Sequence, residues 1–177
     1  MHLRLTTCLI VLVCLAVSPI ATAQSTATAP ATQEPAMTQA VLDANAGFYA
    51  ALNTLFTGDD GPMADVWSHA DDVTYMGPLG ASLHGWDQVA QTWAEQAAMK
   101  LGGGVQTHDV RVVVSAGLAL VTNIEHGRNP HTIDGPMDVL IRATNVYRLE
   151  DGAWKMIHHH TDLLPTLVEE SKQMQGE

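Results

Sequence analysis

The feature that most constrains the fold of this chain is a hairpin near its C-terminal end, over residues 139–162. Two runs rich in β-branched, aromatic and histidine residues flank residues 150–152. The Asp-Gly pair between them is a strong signal for a β-hairpin. The second run closes with His158, His159 and His160. Because side chains alternate across a strand, the middle imidazole lies on the opposite face from the other two.

The first 23 residues have the composition of a secretory signal peptide. Arg4 supplies the positive charge, residues 9–17 form an apolar run, and residues 21–23 match a small-x-small cleavage pattern. The apolar run is far shorter than the ~20 residues needed to span a bilayer. We therefore predict cleavage after Ala23 and a periplasmic or secreted protein with no membrane segment after cleavage.

The cysteines and the charge balance narrow the possible chemistry and partners. Cys8 and Cys14 both lie in the predicted signal, so the mature chain has no disulfide, no thiol nucleophile and no cysteine-based zinc site. Loss of Arg4 leaves seven scattered basic residues against 19 acidic ones, a net charge of −12. Nucleic acids and anionic membranes both require a basic patch, so neither is an expected partner.

The remaining chain divides into a linker, one domain and a tail. Residues 24–36 are limited to Ser, Thr, Ala, Pro, Gln and Glu, which cannot bury enough surface to offset the entropy of ordering. We predict a disordered linker over residues 24–37, a single domain over residues 38–165, and a polar C-terminal tail over residues 166–177.

Within the domain, the pattern predicts helices first and strands afterwards. Apolar residues at helical spacing predict a helix from Thr38 that stops near Gly58, and Pro62 opens a second, short helix. Two short strands, 73–76 and 82–84, precede a third helix over about 87–100, which the glycines at 102–104 end. Four long β runs follow, over 105–115, 118–127, 137–149 and 153–163, with connections at 116–117, 128–136 and 150–152. This order is typical of an α+β fold.

Two segments of the chain carry a resemblance to a known superfamily. One is Asp151-Gly152-Ala153-Trp154, followed by Ile157 and the three histidines. The other is residues 71–75, followed by His84-Gly85. Both segments resemble the nuclear transport factor 2-like superfamily. Within it, the chain most resembles the SnoaL-like polyketide-cyclase group and the association domain of calcium/calmodulin-dependent protein kinase II. The resemblance covers residues 38–163.

The resemblance implies a cone-shaped, curved antiparallel β-sheet wrapped on three N-terminal helices, with an apolar pocket between sheet and helices. It also implies a homodimer formed through the outer face of the sheet. Suitable pocket linings are the large apolar and aromatic residues Phe48, Tyr49, Trp67, Tyr75, Met76, Trp93 and Met99. For any one of them ordinary core is the favoured reading, because buried apolar residues mostly serve packing. Tyr75 stands apart, because a buried phenol needs a hydrogen-bond partner and can offer one to a ligand.

The kinase association domain carries two pocket arginines on the same hairpin, and these positions fall on Asn145 and Thr161 here. Recognition of a small carboxylate is therefore not expected. His159 shares the odd-numbered face of those two positions, which places it in the pocket and places His158 and His160 on the outer face. A β-bulge in the hairpin would reverse this assignment.

For acid–base chemistry, the resemblance makes His159 the candidate base and Tyr75 the candidate hydrogen-bond donor, with His126 or Glu125 as alternative bases. No metal site is predicted, because Asp162 lies ~13 Å from His158 along a strand, too far for one ion to bind both with His160. No cofactor is predicted either. The full set of predicted ligand-binding residues is Tyr49, Trp67, Tyr75, Trp93, His126, Asn145, His159 and Thr161.

Three functions remain open at this stage. The first is an exported domain that binds a small apolar molecule without catalysis. The second is an acid–base enzyme of the isomerase, dehydratase or cyclase type acting on an apolar substrate with a carbonyl group. The third is a module that assembles through its outer sheet face. The first is preferred, because pockets are common in this fold while a catalytic site depends on its own geometry.

Overall fold

The computed structural model describes residues 33–163. The predicted signal peptide, residues 24–32 of the predicted linker, and the chain after Leu163 lie outside the described residues. The elements are α1 (Gln33–Leu55), α2 (Gly61–Val66), β1 (Thr74–Met76), β2 (Ser82–His84), α3 (Trp86–Met99), β3 (Gly104–Ser115), β4 (Leu118–Thr132), β5 (Gly135–Glu150) and β6 (Ala153–Leu163). No helix among these is long and apolar enough to cross a membrane.

Helix α1 begins five residues before the predicted start at Thr38, inside the segment assigned to the linker. Pro35 is compatible with this start, because the first-turn amides of a helix have no partner within the helix. One face of the helix is buried, with Val41, Phe48 and Leu55 fully enclosed. The sheet packs on this face of the helix.

The six strands form one sheet in the order β2-β1-β6-β5-β4-β3. The sheet is curved and does not close, and the helices lie on its N-terminal side, which confirms the predicted α+β class. Neighbouring strands are antiparallel except for β1 and β6, which run parallel, with Tyr75 opposite His159. The sheet is therefore mixed rather than purely antiparallel, and the parallel pair places β1 directly beside the histidine triplet.

The predicted connection over residues 128–136 is wrong in extent. Strands β4 and β5 continue to Thr132 and from Gly135, so that only Ile133 and Asp134 form the turn. Positive φ at Gly135 (99°) fits this tight turn, since glycine adopts that conformation without strain. The longer hairpin extends the inner wall of the sheet by several residues on each strand.

A β-bulge interrupts the pairing of β5 and β6. Tyr147 pairs with Met156 and Val146 pairs with His158, so Ile157 is the extra residue on β6. Before the bulge the even-numbered Met156 faces inward, and after it the odd-numbered His159 and Thr161 do. The bulge does not reverse the prediction for His159, because that prediction counts from Asn145, which pairs with His159 on the C-terminal side of the bulge.

An aromatic core joins the helices to the inner face of the sheet. Phe48 contacts Trp67 and Trp93 edge-on at ring-centroid distances of 6.4 Å each. Fully burying an apolar side chain of this size contributes about 1.5–3 kcal/mol. The core ends on one side at a group of buried polar residues, which is unusual enough to require an explanation.

Candidate functional site

A cavity of about 350 Å³ lies between the inner face of the sheet and the helices. Its walls come from the C-terminal end of α1, the inner side of α3, the loop after β1, and β4, β5 and β6. Most of the lining is apolar. The polar or titratable side chains that reach it are Tyr75, Thr92, Gln96, Glu125, Asn129, His159 and Thr161. Large exposed apolar side chains lie among the lining residues, at Leu79, Met99 and Met137.

His159 lies on the wall of this cavity, with its side chain almost completely buried. The imidazole is held between two aromatic rings, Tyr75 stacked on one side at 5.7 Å and Phe48 tilted on the other at 4.9 Å. This apolar enclosure lowers the pKa of His159 to about 3 by desolvation, helped by the nearby His158 and His160. The ring is therefore neutral at physiological pH.

The hydrogen bonds around Asn145 determine the tautomer of that neutral ring. The amide nitrogen of Asn145 donates to Asn45 Oδ1 at 2.9 Å and to Tyr49 Oη at 3.2 Å. Its amide oxygen lies 2.6 Å from His159 Nδ1 and can only accept. Nδ1 therefore carries the proton, and Nε2 is left with a lone pair for an incoming donor.

Glu125 is the second titratable group on the cavity wall. It is 4 % exposed and accepts a hydrogen bond from the Tyr49 hydroxyl at 2.8 Å. Burial raises its pKa to about 7, although the bond from Tyr49 acts in the opposite direction. A pKa near neutral pH is the property required of a general acid or base.

The two groups lie close together but do not bond directly. Glu125 Oε1 is 3.9 Å from His159 Nε2, longer than a hydrogen bond. The lowered pKa of His159 and the raised pKa of Glu125 both favour the neutral form of this pair. The cavity wall therefore presents a carboxyl group and an unprotonated imidazole nitrogen side by side.

Tyr75 reaches the same cavity from β1. Desolvation raises the pKa of its phenol, so the hydroxyl remains protonated and able to donate. Gly77 lies against this ring and leaves room for it because glycine has no side chain. A Cβ at this position would lie 2.8 Å from the Tyr75 hydroxyl. Trp93 and Thr161, both named from the sequence as ligand-binding candidates, also line the cavity.

The other four residues predicted to bind ligand do not line the cavity. Trp67 is fully enclosed in the aromatic core. Tyr49 and Asn145 lie behind the wall, where they hold Glu125 and His159 in place. Spacing alone could not distinguish a residue that lines a cavity from one that supports the lining, because both are buried on the same face.

His126 requires a clear correction. It lies on the outer face of β4 and bonds to Asp138, which also pairs with Arg128 at 2.9 Å. Because side chains alternate across a strand, the outward direction of His126 places its neighbour Glu125 on the inner face. Of the two alternative bases on this strand, only Glu125 reaches the cavity. The outer face also carries His158, which bonds to Thr74 at 2.6 Å, and the exposed His160.

The polar support behind the wall was not predicted from the sequence. Asn45 accepts from Tyr147 at 2.9 Å, and Asn123 donates to Tyr49 at 2.9 Å. Asn45, Asn123 and Asn145 are all buried on inward-facing positions among apolar residues. A buried amide at an apolar position is the signal that would have indicated them, because such groups are rarely left without partners.

Within the part of the chain that the structure describes, no three or more His, Cys, Asp or Glu side chains are grouped so that they could hold a metal ion. His158 and His160 project from the outer face with ring centroids 6.3 Å apart, and Asp162 there pairs with Arg142 instead.

The comparison with known proteins agrees with this geometry. The family described as the SnoaL-like domain matches residues 41–163, which span every strand and most of α1. The chain belongs to the SnoaL-like domain family. Its solved structural neighbours are nuclear transport factor 2-like proteins, which confirms the resemblance inferred from the hairpin.

Two solved structures share more than a quarter of their residues with this SnoaL-like domain. A candidate dehydratase of the nuclear transport factor 2-like family from Streptomyces avermitilis is 27% identical, with a TM-score of 0.63 over 74% of this chain and 98% of that one. A candidate calcium/calmodulin-dependent protein kinase II association domain from Thiobacillus denitrificans is 31% identical, with a TM-score of 0.57 over 68% and 92%.

Two further relatives are informative for fold and length alone. A candidate ketosteroid isomerase from Shewanella frigidimarina is 19% identical with a TM-score of 0.57 over 70% of this chain and 94% of that one, and supports only the fold. The F-box protein SKIP8 of Arabidopsis thaliana is 26% identical over 129 residues, 73% of this chain. The SnoaL-like domain spans only about half of that protein, 52% of its length.

Proposed function

We propose that this SnoaL-like domain binds a small, mostly apolar molecule in the cavity. The observation that carries the proposal is a hollow of about 350 Å³ with apolar walls and a few convergent polar groups at one end. Pockets of this size and lining are typical of small-molecule sites. The exposed apolar residues Leu79, Met99 and Met137 among the lining fit a ligand that enters from solvent.

A cavity-filling substitution tests the binding proposal. Gly127 lines the cavity, and a Cβ there would meet only Val139 and Val105 at ordinary contact distances of 3.4 and 3.8 Å. Gly127→Val should therefore fold and should occupy part of the hollow. Native mass spectrometry of the purified wild-type protein should show a retained small molecule, or uptake of an apolar probe, that the variant loses.

Thr122→Val is the matched control. Thr122 lies on the same strand but on the half-buried outer face, so this substitution adds a branched apolar side chain without entering the cavity. It should bind as the wild type does. Equal binding by both variants would mean that the ligand lies elsewhere, and the proposal would be abandoned.

Acid–base catalysis is the second candidate, favoured by the carboxyl group and the neutral imidazole 3.9 Å apart on the cavity wall. One group can remove a proton while the other supplies one, as isomerisation or dehydration of a carbonyl compound requires. The similarity to a candidate dehydratase supports this reading. The test is turnover of a panel of enolisable ketones and β-hydroxy ketones, with Glu125→Gln and His159→Asn as variants. Turnover that persists in both variants would exclude this pair as the catalyst.

Export and dimerisation belong to the same proposal. The signal-like residues 1–23 support export, and cleavage after Ala23 is tested by N-terminal sequencing of the secreted or periplasmic protein.

The outer face of the sheet carries exposed Val113 and Leu120 on neighbouring strands, which suits a self-association surface. Leu120→Glu should convert a dimer into a monomer in light scattering without changing cavity binding.

A further inference from the structure

The polar end of the cavity has a specific pattern of hydrogen-bond donors and acceptors. His159 offers only an acceptor there, because its Nδ1 proton is used by Asn145. Glu125 offers a carboxyl group whose Oε1 accepts one bond from the Tyr49 hydroxyl. The nearest atoms of the two groups are 3.9 Å apart, so one oxygen atom placed between them can be within hydrogen-bond distance of both.

We infer that this end of the cavity is a hydroxyl-binding subsite, in which an uncharged ligand with an apolar body donates its O–H to His159 Nε2 and accepts from the carboxyl group of Glu125. The inference deepens the proposed function and rests on it, since it names the class of ligand that the cavity takes. An alcohol satisfies both groups with a single atom. An ether lacks the donor, and a hydrocarbon leaves the His159 Nε2 lone pair and the Glu125 carboxyl proton without a partner, which costs binding free energy.

The charges around the cavity argue against an anionic ligand. The described residues that line it include no Lys or Arg, and Glu125 is the one carboxyl group among them. A carboxylate ligand would therefore lose its hydration without gaining a positive partner, and it would face a group that becomes negative as the pH rises. The positions of the two pocket arginines expected from the kinase association domain are held by Asn145 and Thr161.

The pattern is expected to depend on pH through Glu125 alone. The titratable groups that face it from the packed elements are Tyr49 on α1, Tyr75 on β1, Tyr147 on β5 and His159 on β6. Burial raises the pKa of all three phenols and lowers the pKa of His159, so these four groups keep their protonation between pH 6 and pH 8. Loss of the Glu125 proton over that range removes the donor to the ligand oxygen.

The test is calorimetric titration of the full-length domain with four probes that share one ring system: 2-tetralol, 2-methoxytetralin, tetralin and tetralin-2-carboxylate. At pH 6 we expect the alcohol to bind at least tenfold more tightly than the ether or the hydrocarbon, and the carboxylate to bind most weakly. The advantage of the alcohol should shrink at pH 8. Glu125→Gln keeps a donor and an acceptor, so it should retain the preference for the alcohol but lose its pH dependence.

The outcomes separate this inference from the function on which it rests. If the hydrocarbon and the alcohol bind equally well, the cavity is a ligand site but the hydroxyl subsite is refuted. If none of the four probes binds to the wild-type protein and native mass spectrometry finds no retained molecule, the binding function itself fails and the subsite with it. His159→Phe removes the acceptor and should abolish the preference for the alcohol, with circular dichroism as the check on folding.

Discussion

The amide oxygen of Asn145 lies 2.6 Å from Nδ1 of His159, and this contact decides which imidazole nitrogen is available to the cavity. Asn145 is itself oriented by its bonds to Asn45 and Tyr49, so the tautomer of His159 on β6 depends on residues from two other elements, α1 and β5. A buried imidazole with one nitrogen occupied in this way is a fixed acceptor rather than a freely rotating base.

The protonation state of His159 can be measured directly. Because desolvation lowers its pKa to about 3, the ring should remain neutral, with the proton on Nδ1, throughout the range from pH 5 to pH 8. Long-range ¹H–¹⁵N spectra of the imidazole nitrogens report the tautomer, and the His159→Gln variant identifies the signal. A His159 signal that titrates between pH 6 and pH 7 would contradict the proposed enclosure.

The stability of the fold should depend on the protonation of Glu125. Its pKa is about 7 in the folded state against 4.5 for a free side chain, so the folded state holds the proton more tightly. The stabilisation is complete below about pH 4.5 and is lost as the pH rises through 7, a loss of about 3 kcal/mol at most. The lowered pKa of His159 has the opposite effect, because it increases stability as the pH rises to about 6.5. The contribution of Glu125 is therefore the difference in unfolding free energy between the wild type and a Glu125 variant.

Urea unfolding of the wild type and Glu125→Gln between pH 4 and pH 8 isolates that difference. The wild type should lose stability relative to the variant as the pH increases. Glu95→Gln, on the exposed side of α3, controls for the loss of one carboxyl group. A constant difference across the whole range would mean that Glu125 is more hydrated than its burial indicates.

Tyr49→Phe should move the titration of Glu125 to higher pH. The hydroxyl of Tyr49 donates to Glu125 at 2.8 Å, a bond that favours the ionised carboxylate, and its loss raises the pKa of Glu125 further. The substitution also leaves the amides of Asn123 and Asn145 short of one acceptor, at a cost of about 1–3 kcal/mol. The same pH series of urea unfolding measures both effects. An unchanged titration would show that Tyr49 donates elsewhere.

Gly77→Ala should displace Tyr75 from its stacked position on His159. The added Cβ would lie 2.8 Å from the Tyr75 hydroxyl, so the ring or the loop must move, at a cost of about 1–3 kcal/mol. Gly47→Ala is the matched control within helix α1, where the added methyl meets only Val66 at 3.9 Å and should be neutral or stabilising by up to about 1 kcal/mol. Thermal unfolding compares the two. Equal melting temperatures would show that the loop at Gly77 yields freely.

The sequence predicted the fold, and four of the eight residues predicted to bind ligand line the cavity. The hairpin at residues 150–152 determines the pairing of β5 and β6, and pairing with Asn145 determines the inward direction of His159. Both follow from the alternation of side chains along two strands that are adjacent in sequence. The α+β class follows in the same way from the order of helical and strand patterns.

The remainder of the site depends on long-range contacts that a linear pattern does not contain. Glu125 and His159 are 34 positions apart on strands separated by β5, and their side chains approach to 3.9 Å across it. His126 and Glu125 both have side chains suited to a base, but only Glu125 holds an inward position on β4. Trp67 satisfied every criterion of a pocket aromatic, but packing against Phe48 and Trp93 places it in the core.

The extra residue at Ile157 determines which histidines the cavity receives. If β6 paired with β5 without the bulge, strict alternation from the inward Met156 would place His158 and His160 inside and turn His159 toward the outer face. Deletion of Ile157 itself would instead leave Met156 opposite Tyr147 and His158 opposite Val146, so that His159 would remain inward. One unpaired residue on a single strand thus decides whether this scaffold presents one imidazole or two to its interior.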